Sequence, residues 1–188
     1  AERPPEGGAL GLLPLGGGAA PSVEVHRVAD ADLAHRAGQE LLALLAREPS
    51  VPANAIPLIT RLRESYSTEL VNAALTQARL RRKARAKFER AAAMYFTDAG
   101  LEQASSERMA RNHARPFEAF ERVADLCTGI GGDLGALAAH TDVLAVDKDP
   151  IHLRLALINA RVNEARGAIE AVCADVRALD LSRCSAAF

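Results

Sequence analysis

Asp125-Leu126-Cys127-Thr128-Gly129-Ile130-Gly131-Gly132-Asp133 is the stretch on which the fold turns. The short apolar run Val123 to Cys127 leads into it, and Asp133 to His140 reads as a helix, so the glycines stand at a strand-to-helix junction. There the backbone can pass close to a ligand, and the first turn of the helix offers N–H groups to a negatively charged one. That is the setting of a nucleotide-type site. A dinucleotide fingerprint wants a third glycine at position 134, where this chain has Leu134, which disfavours a nicotinamide cofactor.

Downstream, the pattern repeats. Val143 to Val146 reads as a second strand ending in Asp147, Ile151 to Arg166 as a helix, and Ile169 to Ala174 as a third strand ending at Asp175. Strands alternating with helices predict an α/β fold with a parallel, doubly wound sheet. Asp147 stands at the tip of the second strand, where a carboxylate can accept hydrogen bonds from both hydroxyls of a ribose. Asp175 ends the third strand, where an acid can accept from an exocyclic amine. Asp147 or Asp149 can also cap the helix near Pro150, a role compatible with ribose binding, and Asp147 takes precedence for the ribose because it lies directly at the strand end.

An acid before the glycines and an acid ending each of the next two strands resemble the S-adenosylmethionine site of class I methyltransferases. The resemblance implies that Asp125, Cys127, Gly129, Gly131 and Gly132 surround the amino-acid end of that cofactor, that Asp147 holds its ribose, and that Asp175 holds its adenine amine. The commoner family pattern has glycine where Cys127 stands. The form D-x-x-x-G-x-G-G followed by x-A-V-D-x-D-P is most similar to the trimethylguanosine synthase branch and its bacterial relatives with a THUMP-like C-terminal region. Those relatives also carry a helical segment ending in a stretch similar to Phe96-Thr-Asp-Ala-Gly-Leu-Glu-Gln-Ala104.

The resemblance covers roughly Lys87 to Asp175, and it implies an RNA substrate with a guanine amine as a candidate acceptor. In that family a catalytic tetrapeptide follows strand four, and Ser185-Ala-Ala-Phe188 looks like the start of that strand. The sequence is therefore expected to be part of a longer protein, with no catalytic residue to name here and with the central strand left as an exposed edge. The competing readings are a non-catalytic RNA- or protein-binding module that keeps the cofactor fold, and a nicotinamide-dependent oxidoreductase.

Ahead of the sheet the sequence is helical. Residues 1–22, rich in Gly, Pro and Ala, read as a flexible leader. Leu33, Ala37, Leu41, Leu44 and Leu45 recur at helical spacing after a cap at Asp30 or Asp32, and this helix is expected to end near Pro49. A short helix is expected over Ile56 to Leu62, and a long one from about Ser67 to Ala93 with Leu70, Ala74, Leu75 and Ala78 on one face. Tyr95 to Gly100 reads as a turn-like connector, and Ser105 or Ser106 caps a helix limited by Pro116. The expected domains are thus a leader (1–22), a helical domain (23–118) and a partial cofactor-binding domain (119–188).

The long helix carries Arg79, Arg81, Arg82, Lys83, Arg85, Lys87 and Arg90 against Glu89 alone. Such a run is either a solvated face or a polyanion-binding one, and the family resemblance points to Arg79, Arg81, Arg82, Lys83 and Arg85 as an RNA-facing surface. Phe88, Tyr95 and Phe96 follow closely, either to stack on a base or to pack on the sheet domain. Over all 188 residues, 23 Lys and Arg balance 24 Asp and Glu, so net charge names no partner. A hydrophobic fraction of 49% excludes a disordered chain. Cys127, Cys173 and Cys184 lie far apart, which argues against a disulfide framework or a zinc site and for a reducing, cytoplasmic setting. Cys127 and Cys173 are expected to be small buried hydrophobes, and His26, His35, His113, His140 and His152 to be surface residues without ligand spacing. No apolar run approaches the ~20 residues that span a bilayer.

Overall fold

The computed structural model describes residues 36–47, 56–163 and 165–188. The expected leader, the start of the first helix at Asp30 or Asp32, its end near Pro49, and His26 and His35 lie outside these. Helix α1 (Arg36–Arg47) turns Leu41, Leu42 and Leu45 inward, and α2 (Ile56–Arg63) buries Leu62. Helix α3 (Thr68–Ala84) starts at Ser67, whose hydroxyl accepts the Leu70 N–H at 3.2 Å. Its buried face is Val71, Ala74, Gln77, Ala78 and Leu80, whereas Leu70 and Leu75 are half-buried.

The long helix expected to reach Ala93 stops at Ala84. Residues 85–93 continue as turns, because tertiary packing outweighs helix propensity there. The Lys87 ammonium donates to the carbonyls of Leu101, Glu102 and Ala104, and Phe88 is buried with its ring 5.7 Å from that of Phe96. The stretch expected to be a connector includes the start of a short helix, α4 (Asp98–Gln103), capped by Thr97, whose hydroxyl accepts the Gly100 N–H at 2.9 Å. Ser106 caps α5 (Glu107–Ala114), and Pro116 falls in the 3₁₀ turn Arg115–Phe117 that ends this half.

The sheet is parallel, with strands β1 (Arg122–Leu126), β2 (Asp142–Asp147), β3 (Ile169–Cys173) and β4 (Ala186–Ala187) in the order β3-β2-β1-β4. Its register sets Leu126 beside Val146 and Asp147 beside Cys173. The edge expected to be open on β1 is paired here: Val123 and Ala124 face Ala186 and Ala187, the Leu126 N–H donates to the Phe188 carbonyl, and the Phe117 ring meets the Phe188 ring edge-on. Helices α6 (Leu134–Leu137) and α7 (Pro150–Val162) are shorter than expected. Past α7 the Arg166 and Gly167 N–H groups donate to the Ala138 carbonyl and turn the chain back toward β3.

Val123, Val143 and Ala145 on one face of the sheet pack with Leu134, Leu137, Leu153 and Ala156 of the helices. Ala124, Leu144 and Val146 on the other face meet Leu179 and Leu181. The helical half has its own core, and this core continues into Ile130 of the glycine loop and Leu155 of α7. Among the described residues no helix is long and apolar enough to cross a membrane.

Candidate functional site

The loop after β1 is anchored by the Thr128 N–H, which donates to the Val146 carbonyl at 2.8 Å, and by the Thr128 hydroxyl, which donates to the Asp125 carbonyl at 3.0 Å. Three of its residues are left-handed: Cys127 (φ 64°), Gly129 (φ 57°) and Gly131 (φ 81°). Gly131 lies against α7 so closely that a Cβ would stand 2.9 Å from the Ala156 Cα. Gly129 is different. A Cβ there would meet only the Cys127 carbonyl oxygen, at 3.9 Å, so its free side faces open space at the C-terminal end of the sheet, which is where parallel α/β sheets bind ligands.

The three sequence-predicted acids occupy this end of three neighbouring strands. Asp125, next to the last residue of β1, is buried, and its Oδ2 has no hydrogen-bond partner among the described residues. Burial pushes its pKa up to about 7; the neighbouring Thr128 hydroxyl dipole opposes this, and the Asp133 and Asp147 carboxylates add to it. Asp147, at the end of β2, is also buried; its Oδ2 accepts the Gly129 N–H and its Oδ1 the Asp149 N–H, each at 2.8 Å. The cap of α7 is Asp149, whose Oδ1 accepts the Ile151 and His152 N–H groups. Asp175 lies two residues past β3 and is exposed, clasped by the Arg177 guanidinium, which holds its carboxyl well below the usual range.

Around this arrangement lie residues the sequence reading did not single out. Asn159 of α7 is fully buried; its Nδ2 donates to the carbonyls of Tyr95 and Ile130, both at 2.9 Å, and its Oδ1 accepts the Tyr95 N–H at 2.8 Å. The available signal was an amide inside the apolar run formed by Leu155 to Ile158 and Ala160. The Phe96 to Ala104 stretch packs directly on the glycine loop. A Cβ on Gly100 would overlap Ile130, and one on Gly132 would press on Ala104 and Ser105.

Two expectations are corrected. Cys127 and Cys173 are exposed rather than buried, because each lies at a strand end and not inside the sheet. His113 and His152 are half-buried: His113 Nδ1 lies 2.9 Å from Asp133 Oδ1, and His152 Nε2 lies 3.2 Å from the Thr97 hydroxyl.

A search of curated protein sequences found no match. Residues 28–84 match a family described as a domain of unknown function, DUF8688. Among solved structures, 71% of this chain superimposes on 35% of a "putative methyltransferase" from Porphyromonas gingivalis W83, with a TM-score of 0.55 and 23% identity. The two chains share a fold. Helices followed by part of a parallel α/β sheet is the architecture expected from the sequence, and this chain spans about a third of that protein's length (35%). Two structures of the N-terminal domain of EvdMO1, one with SAH and one with SAH and D-fucose, also match. They do so at TM-scores of 0.39 and 0.36 and identities of 27% and 28%, over 47% and 43% of this chain and 38% and 36% of theirs.

The basic run is largely engaged inside the chain. Arg79 pairs with Asp98 at 2.7 Å and Lys83 with Glu102 at 3.1 Å. Arg81 lies 4.8 Å over the Tyr95 ring and donates to the Met94 carbonyl, Lys87 binds the end of α4, and Arg90 donates to the Val162 carbonyl. With α3 ending at Ala84, Lys87 and Arg90 do not share its face. The guanidinium groups of Arg82 and Arg85 have no partner among the described residues; with Arg81 they line a cleft of about 100 Å³ walled by Leu42, Ala46, Ala78 and Ala92. Phe88 and Phe96, offered as base-stacking candidates, are buried in the core. A separate groove of about 260 Å³ touches Gly132 but none of the three carboxylates, and its Glu107 is engaged with Arg111 and the Glu89 N–H.

Proposed function

We propose that this chain forms the cofactor-binding part of an S-adenosylmethionine-dependent methyltransferase acting on RNA. One observation carries the reading: three carboxylates at the ends of three adjacent parallel strands surround a left-handed glycine loop whose Gly129 faces open space. The residues present fit that cofactor. Asp125 offers a buried carboxylate oxygen without a partner to the cationic amino-acid end, and Gly129 leaves room for it. Asp147 uses two of about four acceptor positions on its own backbone, which leaves the others for the ribose hydroxyls. Asp175 is held by an exposed ion pair of the kind worth little in water, so it is able to exchange Arg177 for an adenine amine.

When bound, the cofactor supplies a methyl group on a sulfonium, and the chain's own residues hold and orient it. Calorimetry tests this. S-adenosylhomocysteine is expected to bind and NAD not to, and a chain that ignores the first or prefers the second overturns the reading.

The RNA substrate, and a guanine amine as its acceptor, rest on the resemblance to the trimethylguanosine synthase branch. Two observations support it: the Phe96 to Ala104 stretch, characteristic of that branch, packs on the glycine loop, and Arg82 and Arg85 remain available at a cleft.

A further inference from the structure

We infer that Asn159 is a positioning residue for the cofactor loop, the last link of a buried hydrogen-bonded chain that begins at Gln77 in α3 and ends on the Ile130 carbonyl. Gln77 is buried; its Nε2 donates to the Phe96 carbonyl at 2.7 Å and its Oε1 accepts the Phe96 N–H at 3.1 Å. Asn159 makes the same pair of bonds to Tyr95, and its second amide hydrogen goes to Ile130. All four main-chain polar groups of Tyr95 and Phe96 are therefore satisfied by two amide side chains, one from the helical half and one from the sheet half. The Tyr95 side chain is fixed as well, its hydroxyl accepting from Gln39 and its ring lying under Arg81.

The far end of this chain falls on the left-handed part of the loop. Ile130 stands between Gly129 and Gly131, both left-handed, and its peptide to Gly131 is held from two sides, by the Gly131 N–H bond to the Thr128 carbonyl within the loop and by the Asn159 amide on the Ile130 carbonyl from α7. Asn159 supplies the tie from the loop to α7, and a side chain lacking a donor cannot. The direction of the Ile130–Gly131 peptide, and with it the shape of the loop proposed to hold the cofactor, thereby depends in part on a residue that touches no ligand.

The cofactor half of this inference rests on the proposed function, and two readouts on the intact chain separate them. Asn159→Ala is compared with Leu45→Ala, which removes a buried side chain of the helical core outside the hydrogen-bonded chain. The first readout is hydrogen exchange of the Gly131 amide, whose bond to the Thr128 carbonyl lies within the loop; the second is S-adenosylhomocysteine affinity well below either melting temperature.

The expected result is Gly131 exchange at least tenfold faster in Asn159→Ala than its loss of global stability accounts for, with affinity at least tenfold weaker. Leu45→Ala is expected to lose stability with neither change. Equal behaviour of the two variants overturns the inference. If the parent does not bind S-adenosylhomocysteine, the methyltransferase reading fails, and Gly131 exchange alone decides the role of Asn159. If Asn159→Ala does not fold, Gln77→Ala cuts the chain one link earlier and the same comparison applies, with an expected effect of at least threefold.

Discussion

The Gly129 N–H donates to Oδ2 of Asp147 across 18 residues of sequence, at 2.8 Å, while the Asp149 N–H donates to Oδ1 of the same carboxylate. Asp147 is thus a brace between the glycine loop and the start of α7 as well as the acid at the end of β2. Removing it leaves two N–H groups without their acceptor. Asp147→Ala is expected to lower stability by about 2 kcal/mol and to weaken S-adenosylhomocysteine by at least about tenfold. A thermal melt and a calorimetric titration of one sample check both, and unchanged affinity removes Asp147 from the site.

Cys127 stands at φ 64°, where a residue with a Cβ is strained. Glycine relieves that strain, at the expense of a more flexible unfolded chain. Cys127→Gly is expected to be stabilising by ~0.5–1 kcal/mol, or roughly 1–4 °C in melting temperature. Denaturant unfolding showing a loss of stability shows that the thiol makes a contribution larger than the strain.

Asp125 sets a pH dependence. Below about pH 4 the folded and unfolded chains both carry its proton. As pH rises toward 7 the unfolded chain releases it, while the folded chain, with a pKa of about 7, retains it. Stability contributed by this group therefore falls across that window and levels off above it, with a ceiling of ~4 kcal/mol. Asp125→Asn is expected to flatten this part of the profile and to melt higher than the parent at pH 8. Superimposable profiles show that Asp125 is already ionised near pH 5. If a cationic ligand binds the carboxylate form, its affinity for the parent rises as pH approaches 7, and the variant loses that rise.

How much of this was legible depended on the range of the forces involved. The strand ends at Asp125, Asp147 and Asp175 were readable because short apolar runs and terminal acids lie within a few residues of one another, with glycines added at the first. The end of α3 was not, since Lys87 and Phe88 are held by Leu101, Glu102, Ala104 and Phe96, partners that no local pattern announces. The exposure of Cys127 followed from a loop geometry that its residue type obscured. Asn159 was missed for a similar reason: an amide in an apolar run reads as a minor irregularity until its three partners, from Tyr95 and Ile130, are seen around it.

Seven cations in twelve positions left a solvated face and a polyanion-binding face both open; Arg81, Lys87 and Arg90 donate to main-chain carbonyls of this chain, and Arg79 and Lys83 sit in exposed ion pairs of the kind worth little in water. The guanidinium groups of Arg82 and Arg85, which line the cleft with Leu42 and Ala92, have no partner among the described residues. Neutralising a phosphate of single-stranded RNA contributes a slope of about −0.7 to log K against log salt. Replacing both residues by alanine is therefore expected to flatten the slope by up to ~1.4 with little change in folding stability. Arg81→Ala has a different signature, because the guanidinium lies over Tyr95 and donates to Met94; it is expected to cost about 1–2 kcal/mol of stability. Filter binding to a single-stranded oligonucleotide over a salt series, with melts of the same variants, separates the two. If the Arg82/Arg85 pair can be removed with no change in slope, this cleft does not bind RNA.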